Sequence, residues 1–149
     1  MTQENKNMLL KDLCARIPYG LFCQTDDGKG KLISVECSFG DDLVYVDFGY
    51  PEAKEYDLNE GDSIKPYLRP MSSMTEEEKK EYESFFSTGE YSCGGSLYGT
   101  EYEYIADSPD DISQSICLFD WLDVHHFDYR GLIEKGLALE APEDMYKLD

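Results

Sequence analysis

The stretch that most constrains the fold is residues 108–142, which combines a capped amphipathic helix with the only Trp and both His residues. Ser108 can accept hydrogen bonds from first-turn amides as an N-cap, and Pro109 suits the first helical position because its missing N–H is harmless there. Four apolar residues follow on one helical stripe, at i, i+4, i+7 and i+10: Ile112, Ile116, Phe119 and Leu122. This stripe predicts a helix over 110–126 that packs against a sheet.

The chain is predicted to reverse direction directly after this helix. Gly131 can adopt the positive φ that a chain reversal often requires. A second short helix is expected over 132–135, ending at Gly136. Asp123 falls off the apolar stripe, so its carboxylate is expected to face solvent.

A meander of three antiparallel strands is predicted in the first half of the chain, because β-prone runs alternate there with Gly-containing turns. The runs are 21–24, 31–39 and 43–48. Residues 49–61 are polar, which predicts a surface loop. Pro66 lacks the N–H that a central strand needs, so the extended segment 63–68 is expected at a sheet edge.

A first helix is predicted over 6–16, where apolar residues recur at helical spacing. Lys6, Lys11, Asp12 and Arg16 interleave with those residues. Thr75 and Glu78 form a T-x-x-E capping box that opens another helix over 75–87.

These elements predict a single α+β domain that spans residues 1–149. A chain of this length can bury roughly two-thirds of the surface that it exposes when unfolded. The expected architecture is a small antiparallel sheet of three to five strands, drawn from 20–68 and 100–106 and packed by about three helices near 6–16, 75–87 and 110–126.

The chain is strongly acidic, with a formal net charge of −19. Residues 1–75 carry 13 acids and 8 bases, giving −5, whereas residues 76–149 carry 19 acids and 5 bases, giving −14. Such a field repels phosphate backbones, so binding to nucleic acid is not expected. The acidity indicates either a protein partner with a basic surface or simply a device for solubility.

The five Cys residues form no CxxC pair and are odd in number, which argues against a zinc ribbon and against a closed disulfide framework. They are expected to be reduced and mostly buried. The N-terminal region lacks the apolar run of a signal peptide, and 18 consecutive apolar residues occur nowhere. These features predict a cytoplasmic protein without a membrane partner.

The pair His125 and His126, flanked by Asp123 and Asp128, is the first place to consider a metal site, because imidazole and carboxylate can bind zinc together. Adjacent helical residues point about 100° apart, so both rings do not readily face one ion. We therefore predict no metal site and no cofactor, with one His packed near the core. No Cys lies in an electropositive setting, and the Gly-rich stretches match no phosphate-loop pattern.

Lys65, Tyr67 and Arg69 alternate along an extended segment, so their side chains are expected to project together as a cationic and aromatic strip. This strip can bind an acidic ligand or pair with the protein's own acids. A second candidate binding set is acidic and lies before and within the start of the helix over 110–126. Its residues are Glu101, Glu103, Asp110 and Asp111.

Two runs of the sequence carry a resemblance, IKPYLRPMSSMTEEE at 64–78 and DWLDVHHFDYRGLIEKGLALEAPEDMY at 120–146. They resemble a family of small uncharacterised bacterial and prophage-type proteins, and together they cover roughly a third of the chain. The resemblance implies no activity, ligand or catalytic residue.

The absence of a catalytic motif, together with the family resemblance, favours a binding function over an enzymatic one. The favoured function is a non-enzymatic binding or regulatory protein of mobile-element type that engages another protein. The alternative is a small hydrolase-like enzyme whose site is assembled from dispersed carboxylates and His. A cleft holding His125 or His126 beside a carboxylate would favour the enzyme.

Overall fold

The computed structural model describes residues 1–38, 40–49, 52–86, 96–97, 100–101 and 109–146, with only the backbone described at 96–97, 100–101 and 109–114. The α-helices in these ranges are α1 (Gln3–Arg16), α2 (Glu76–Ser84) and α3 (Pro109–Val124), with short 3-10 helices at Ile17–Tyr19 and Met71–Ser73. The strands are β1 (Phe22–Thr25), β2 (Gly28–Ser38), β3 (Asp41–Asp47), β4 (Lys54–Asp57), β5 (Ile64–Leu68), β6 (Ser96–Leu97), β7 (Thr100–Glu101) and β8 (Leu139–Glu140).

Six strands form the main sheet, in the order β4-β3-β2-β1-β5-β8. Strands β1 to β4 make an antiparallel meander, β5 pairs antiparallel with the free side of β1, and β8 pairs parallel with β5. The predicted α+β fold is therefore confirmed. The predicted count of three to five strands is wrong, because β4 lies inside the segment 49–61 that was expected to be a loop and β8 adds a short parallel strand.

The strand predicted over 100–106 was expected in the main sheet, and this is wrong. Residues 100–101 pair with 96–97 in a separate two-stranded sheet, and 102–106 lie outside the described residues. The prediction that Pro66 confines its segment to an edge is also wrong, because β5 lies between β1 and β8. Pairing with β8 begins only at Tyr67, one residue after Pro66, so the proline can occupy an inner strand.

The main core lies between α1 and one face of the sheet. Its fully buried members include Leu13 of α1, Val44 of β3 and Leu68 of β5. Burying each such side chain contributes about 1.5–3 kcal/mol relative to exposure. The other buried members of this cluster are Leu9, Leu21, Cys23, Leu32, Val46, Tyr56, Leu58, Ile64, Leu132, Leu137 and Ala138.

A second, smaller core joins α2, α3 and the chain that follows α3. It consists of Met74, Tyr82, Leu118, Leu122 and Phe127. The apolar stripe predicted for α3 is therefore wrong in part. Leu122 is buried as predicted, but Leu118 is its buried neighbour in this core. Ile116 is 57% exposed and Phe119 is 42% exposed, whereas Ile112 lies outside the residues whose side chains are described.

Asp123 was expected to face solvent, but it is only 6% exposed. It lies one residue after the buried Leu122, at the end of α3, where Tyr129 folds back and donates a hydrogen bond to its carboxylate at 2.8 Å. The proposed N-cap of this helix, Ser108, lies outside the described residues.

The predicted second helix over 132–135 is wrong, since those residues form turns. Asp128 holds the turns, because its carboxylate accepts from the amides of Leu132 at 2.8 Å and Ile133 at 2.9 Å. Gly131 and Gly136 both have positive φ, 73° and 72°, as expected for a chain reversal.

The capping box at the start of α2 is confirmed. The Thr75 hydroxyl accepts from the Glu78 amide at 3.1 Å, and the Glu78 carboxylate accepts from the Thr75 amide at 2.9 Å. The helix ends at Ser84, earlier than the predicted residue 87.

Replacement of Thr75 with Ala is expected to lower the unfolding free energy by about 1 kcal/mol, because one first-turn amide loses its acceptor. Urea melts measure the effect, and Thr75→Ser is the matched control because it keeps the hydroxyl. Equal midpoints for the Ala and Ser variants would show that the box adds nothing to stability.

The expectation that the thiols are mostly buried is wrong. Cys23 is buried, but Cys14, Cys37 and Cys117 are exposed, and Cys93 lies outside the described residues. Burial raises the pKa of Cys23 to about 12, with a further contribution from Asp12. Within the described ranges, no helix is long and apolar enough to cross a membrane.

Candidate binding site on the open face of the sheet

The main sheet has one face against α1 and one that faces outward. Side chains alternate between the faces along a strand. In β5 the residues Ile64, Pro66 and Leu68 are buried, whereas Lys65 and Tyr67 are half-buried and belong to the outward face. The structure therefore places Lys65 and Tyr67 of the predicted strip side by side.

Arg69 is engaged within the fold. Two of its guanidinium nitrogens donate to the two carboxylate oxygens of Glu78 at 2.8 and 2.7 Å, and its guanidinium lies 4.2 Å from the centre of the Phe127 ring. Burial opposes the charge of Glu78, but the hydrogen bonds from Arg69 and Thr75 outweigh it and lower its pKa to about 2. Arg69 thus pairs with the protein's own acid.

The register of the central strands sets two rows of side chains across the outward face. Gln24 of β1 lies between Lys29 of β2 and Lys65 of β5. In the next row, Phe22 of β1 lies opposite Lys31 of β2. Strand β1 also pairs Cys23 with Pro66 of β5, and continuing that pairing by one residue places Tyr67 on the other side of Phe22. We call the six residues of these rows the lysine face: Phe22, Gln24, Lys29, Lys31, Lys65 and Tyr67.

Hydrogen bonds and ring contacts fix the centre of the lysine face. The Tyr67 hydroxyl donates to the Gln24 side-chain oxygen at 2.7 Å, and the Lys29 ammonium lies 5.5 Å from the centre of the Phe22 ring. The Tyr146 hydroxyl joins the two strands, because it accepts from the Phe22 amide at 2.9 Å and donates to the Tyr67 carbonyl at 2.8 Å. The arrangement is an ordered platform of aromatic, amide and ammonium groups.

The three lysines of this face form no ion pair with any described residue. Lys29 and Lys31 are exposed and Lys65 is half-buried. Lys29 and Lys31 alternate in GKGKL, residues 28–32, but this pattern alone did not predict them as binding residues. Only the strand order, which sets β5 beside β1, brings them to Lys65.

The acidic binding set is described only in part. Glu101 lies in β7, and Asp110 and Asp111 lie in the first turn of α3, but their side chains are outside the described structure, as is the whole of Glu103. Further along α3, the exposed Ile116 and Phe119 lie one turn apart. The Phe119 ring lies 5.3 Å from that of Tyr129.

Two open clefts flank α1. One, of about 550 Å³, lies between the start of α1 and the segment 58–65, and Lys65 is among its lining residues. Its Lys6 is engaged by Asp42 at 3.0 Å. The other, of about 650 Å³, is bordered by Lys11 and Arg130. Among the described residues that line these clefts there is no His, which is the residue that the hydrolase alternative requires.

A buried charge cluster joins α1 to the chain after α3. Arg16 and Asp12 are both fully buried. Nitrogens Nε and Nη2 of Arg16 donate to the two Asp12 oxygens at 3.0 Å each, and Nη2 also donates to the Phe127 carbonyl at 2.6 Å. Asp123 lies 3.9 Å from the same nitrogen.

Two further side chains close the cluster toward solvent. Arg130 donates to Asp12 at 2.8 Å, and its guanidinium lies 4.5 Å from the centre of the Tyr129 ring. Burial raises the pKa of Asp123, although the Tyr129 hydroxyl, Arg16 and Arg130 all oppose that shift. The cluster therefore ties three segments of the chain together by charge rather than by apolar contact.

His126 has no open side. The residue is 3% exposed, and its Nε2 donates to the Tyr19 carbonyl at 3.0 Å. Its ring stacks on that of Tyr146, with 3.9 Å between centres. His125 is half-buried, with Nδ1 2.8 Å from the Trp121 carbonyl.

The two imidazoles thus make separate backbone contacts. In the ranges that the structure describes, no three His, Cys, Asp or Glu side chains are grouped to hold a metal ion. Comparison of the chain with protein-family models, curated proteins and solved structures gives no match.

Proposed function

We propose that this chain is an acidic, non-enzymatic binding or regulatory protein of mobile-element type that engages another protein through α3. The observation that carries the proposal is the exposure of Ile116 and Phe119 on a helix that bears only negative charge. The mobile-element class has separate support, from the resemblance of segments 64–78 and 120–146.

The chemistry of α3 favours a protein partner. Large apolar side chains that lie together on a surface are typical of interaction sites. Ile116 is 57% exposed and Phe119 is 42% exposed, and they occupy neighbouring positions one turn apart. Contact with another protein would remove both from water.

The charge of α3 favours a partner with a basic surface. The helix contains four Asp residues and no Lys or Arg. Of these, Asp120 is exposed beside Phe119, whereas Asp123 is buried. An apolar contact beside acidic groups is complemented by an apolar patch with a basic rim, and that charge pairing would accelerate association.

The test compares capture of proteins from the native host by the parent chain and by an α3 variant carrying Ile116→Asp and Phe119→Ser. The variant should remain folded, losing only the ring contact of Phe119 with Tyr129, and should lose at least tenfold in affinity for the captured protein, because central apolar contacts dominate interfaces. Raising the salt concentration should weaken the parental complex, since exposed charges are screened.

A matched control is Ile33→Asp, because Ile33 is 45% exposed on β2, away from α3. It should leave capture unchanged. Equal binding of the captured protein to the parent, the α3 variant and Ile33→Asp, with no change as salt rises, would show that α3 is not the binding surface and that the acidity serves solubility.

A further inference from the structure

We propose that the lysine face is a second binding site, which takes a short acidic segment of a protein in extended conformation. The carboxylates of that segment bind Lys29, Lys31 and Lys65, and its apolar stem lies beside Tyr67. This site is separate from α3 and takes the opposite charge.

The spacing of the ammonium groups fits an extended peptide. Lys29 and Lys31 are two residues apart on one strand, so their Cα atoms are separated by about 7 Å, which is also the spacing of alternate residues in a bound extended segment. Lys65 lies two strands away from Lys29, about 10 Å across the sheet. Acids at alternate positions can therefore meet both lysines of β2 while a third acid reaches Lys65.

The charge balance makes these lysines unusual. The protein has 32 acids and 13 bases, yet none of the described acids forms an ion pair with this face. Gln24 separates Lys29 from Lys65 and is itself tied by hydrogen bonds to Tyr67 and to the Thr25 carbonyl. Among the described residues, the three ammonium groups are therefore separated from one another and carry no ion pair, which leaves their charge for an external anion.

The surroundings favour a short peptide over nucleic acid. Asp47 lies opposite Lys31 at one end of a row, and its carboxylate accepts from the Gly49 amide. A longer polyanion would meet such acids beyond the three lysines. Single-stranded nucleic acid also needs free ring faces for base stacking, but the Lys29 ammonium already lies over Phe22.

The experiment measures fluorescence polarisation of a labelled ten-residue peptide with Glu at alternate positions, at low salt. Lys29→Gln, Lys31→Gln and Lys65→Gln should each weaken binding by about fivefold, and the triple variant by well over tenfold. Lys80→Gln is the matched control, because it removes one exposed lysine from α2. It should change binding by less than twofold.

Several outcomes would overturn the site. They are no binding of the peptide, a loss in Lys80→Gln equal to that in the face variants, or tighter binding of a ten-residue oligothymidine that displaces the peptide. The α3 variant with Ile116→Asp should bind the peptide like the parent chain. Loss of peptide binding in that variant would show that the two surfaces are one site.

Discussion

Replacement of Arg16 with Met should lower the unfolding free energy by about 3–5 kcal/mol, because it leaves the buried carboxylate of Asp12 without its main partner. Asp12 would keep only Arg130, and the Phe127 carbonyl would lose its donor. Met retains much of the volume of the Arg stem, so a cavity contributes little. Urea melts at pH 7 measure the loss directly.

The chain offers two controls for this prediction. Arg130→Met removes one bond to the same carboxylate from a side chain that is 25% exposed, so it should cost about 1 kcal/mol or less. A double variant with Asp12→Leu and Arg16→Met should recover part of the loss, since Asp12 is then no longer left as a charge. If Arg16→Met costs no more than Arg130→Met, the buried pair does not stabilise the fold.

Stability should also fall by about 3 kcal/mol as the pH drops from 6.5 to 4, because of His126. Burial, with a contribution from Arg16, lowers the pKa of this imidazole from 6.5 to about 4. The unfolded chain therefore binds a proton below pH 6.5 that the folded chain excludes until about pH 4. The contribution of His126 is fully present above pH 6.5 and is lost progressively below it.

Comparison with His126→Asn isolates this effect from other acids, including Asp123, whose raised pKa acts in the opposite direction. His126 has a positive φ of 60°, a conformation that Asn tolerates, and an Asn amide can donate toward the Tyr19 carbonyl. Melts across this pH range should show the steep loss in the parent and in His125→Asn, but not in His126→Asn. Parallel curves for all three chains would assign the acid sensitivity to other groups.

The parts of the fold that could be predicted from sequence depend on local chemistry. The capping box needs only Thr75 and Glu78 three residues apart, and the positive φ of Gly131 needs only a glycine at a reversal. The meander followed from turns between β-prone runs. By contrast, β8 consists of two residues that become a strand only because β5 lies beside them, which no local pattern contains.

The errors in predicting which helical residues are buried have one physical origin. Hydrophobic periodicity identifies one face of a helix, but it does not show which part of the protein covers that face. The helix pattern did not show the burial of Arg16 and Asp12, because their charge cluster is completed by Phe127 and Arg130, which lie far away in sequence. Ile116 and Phe119 looked like core because they are apolar, yet α3 buries the face of Leu118 and Leu122. Only the tertiary arrangement separates these cases.

Two of the six residues of the lysine face could be predicted, and the rest depended on strand order. Alternation along β5 correctly put Lys65 and Tyr67 on one face. It could not show that Arg69 forms an ion pair with Glu78. It also could not show that β1 lies between β2 and β5, which brings Lys29 and Lys31 to the same surface as Lys65. The predicted strip on β5 is therefore part of a surface that also includes β1 and β2.

The hydrogen bond from Arg16 to the Phe127 carbonyl joins positions 111 apart, and this has a consequence for synthesis. While the chain emerges from the ribosome, α1 carries a guanidinium whose buried position is complete only after residue 127 is available. Closing so long a loop costs little more entropy than closing one of half the length, because that cost grows with the logarithm of length. Completion of the charge cluster of α1 is therefore tied to the last quarter of the chain, and a nascent chain shorter than this lacks one acceptor of a buried guanidinium.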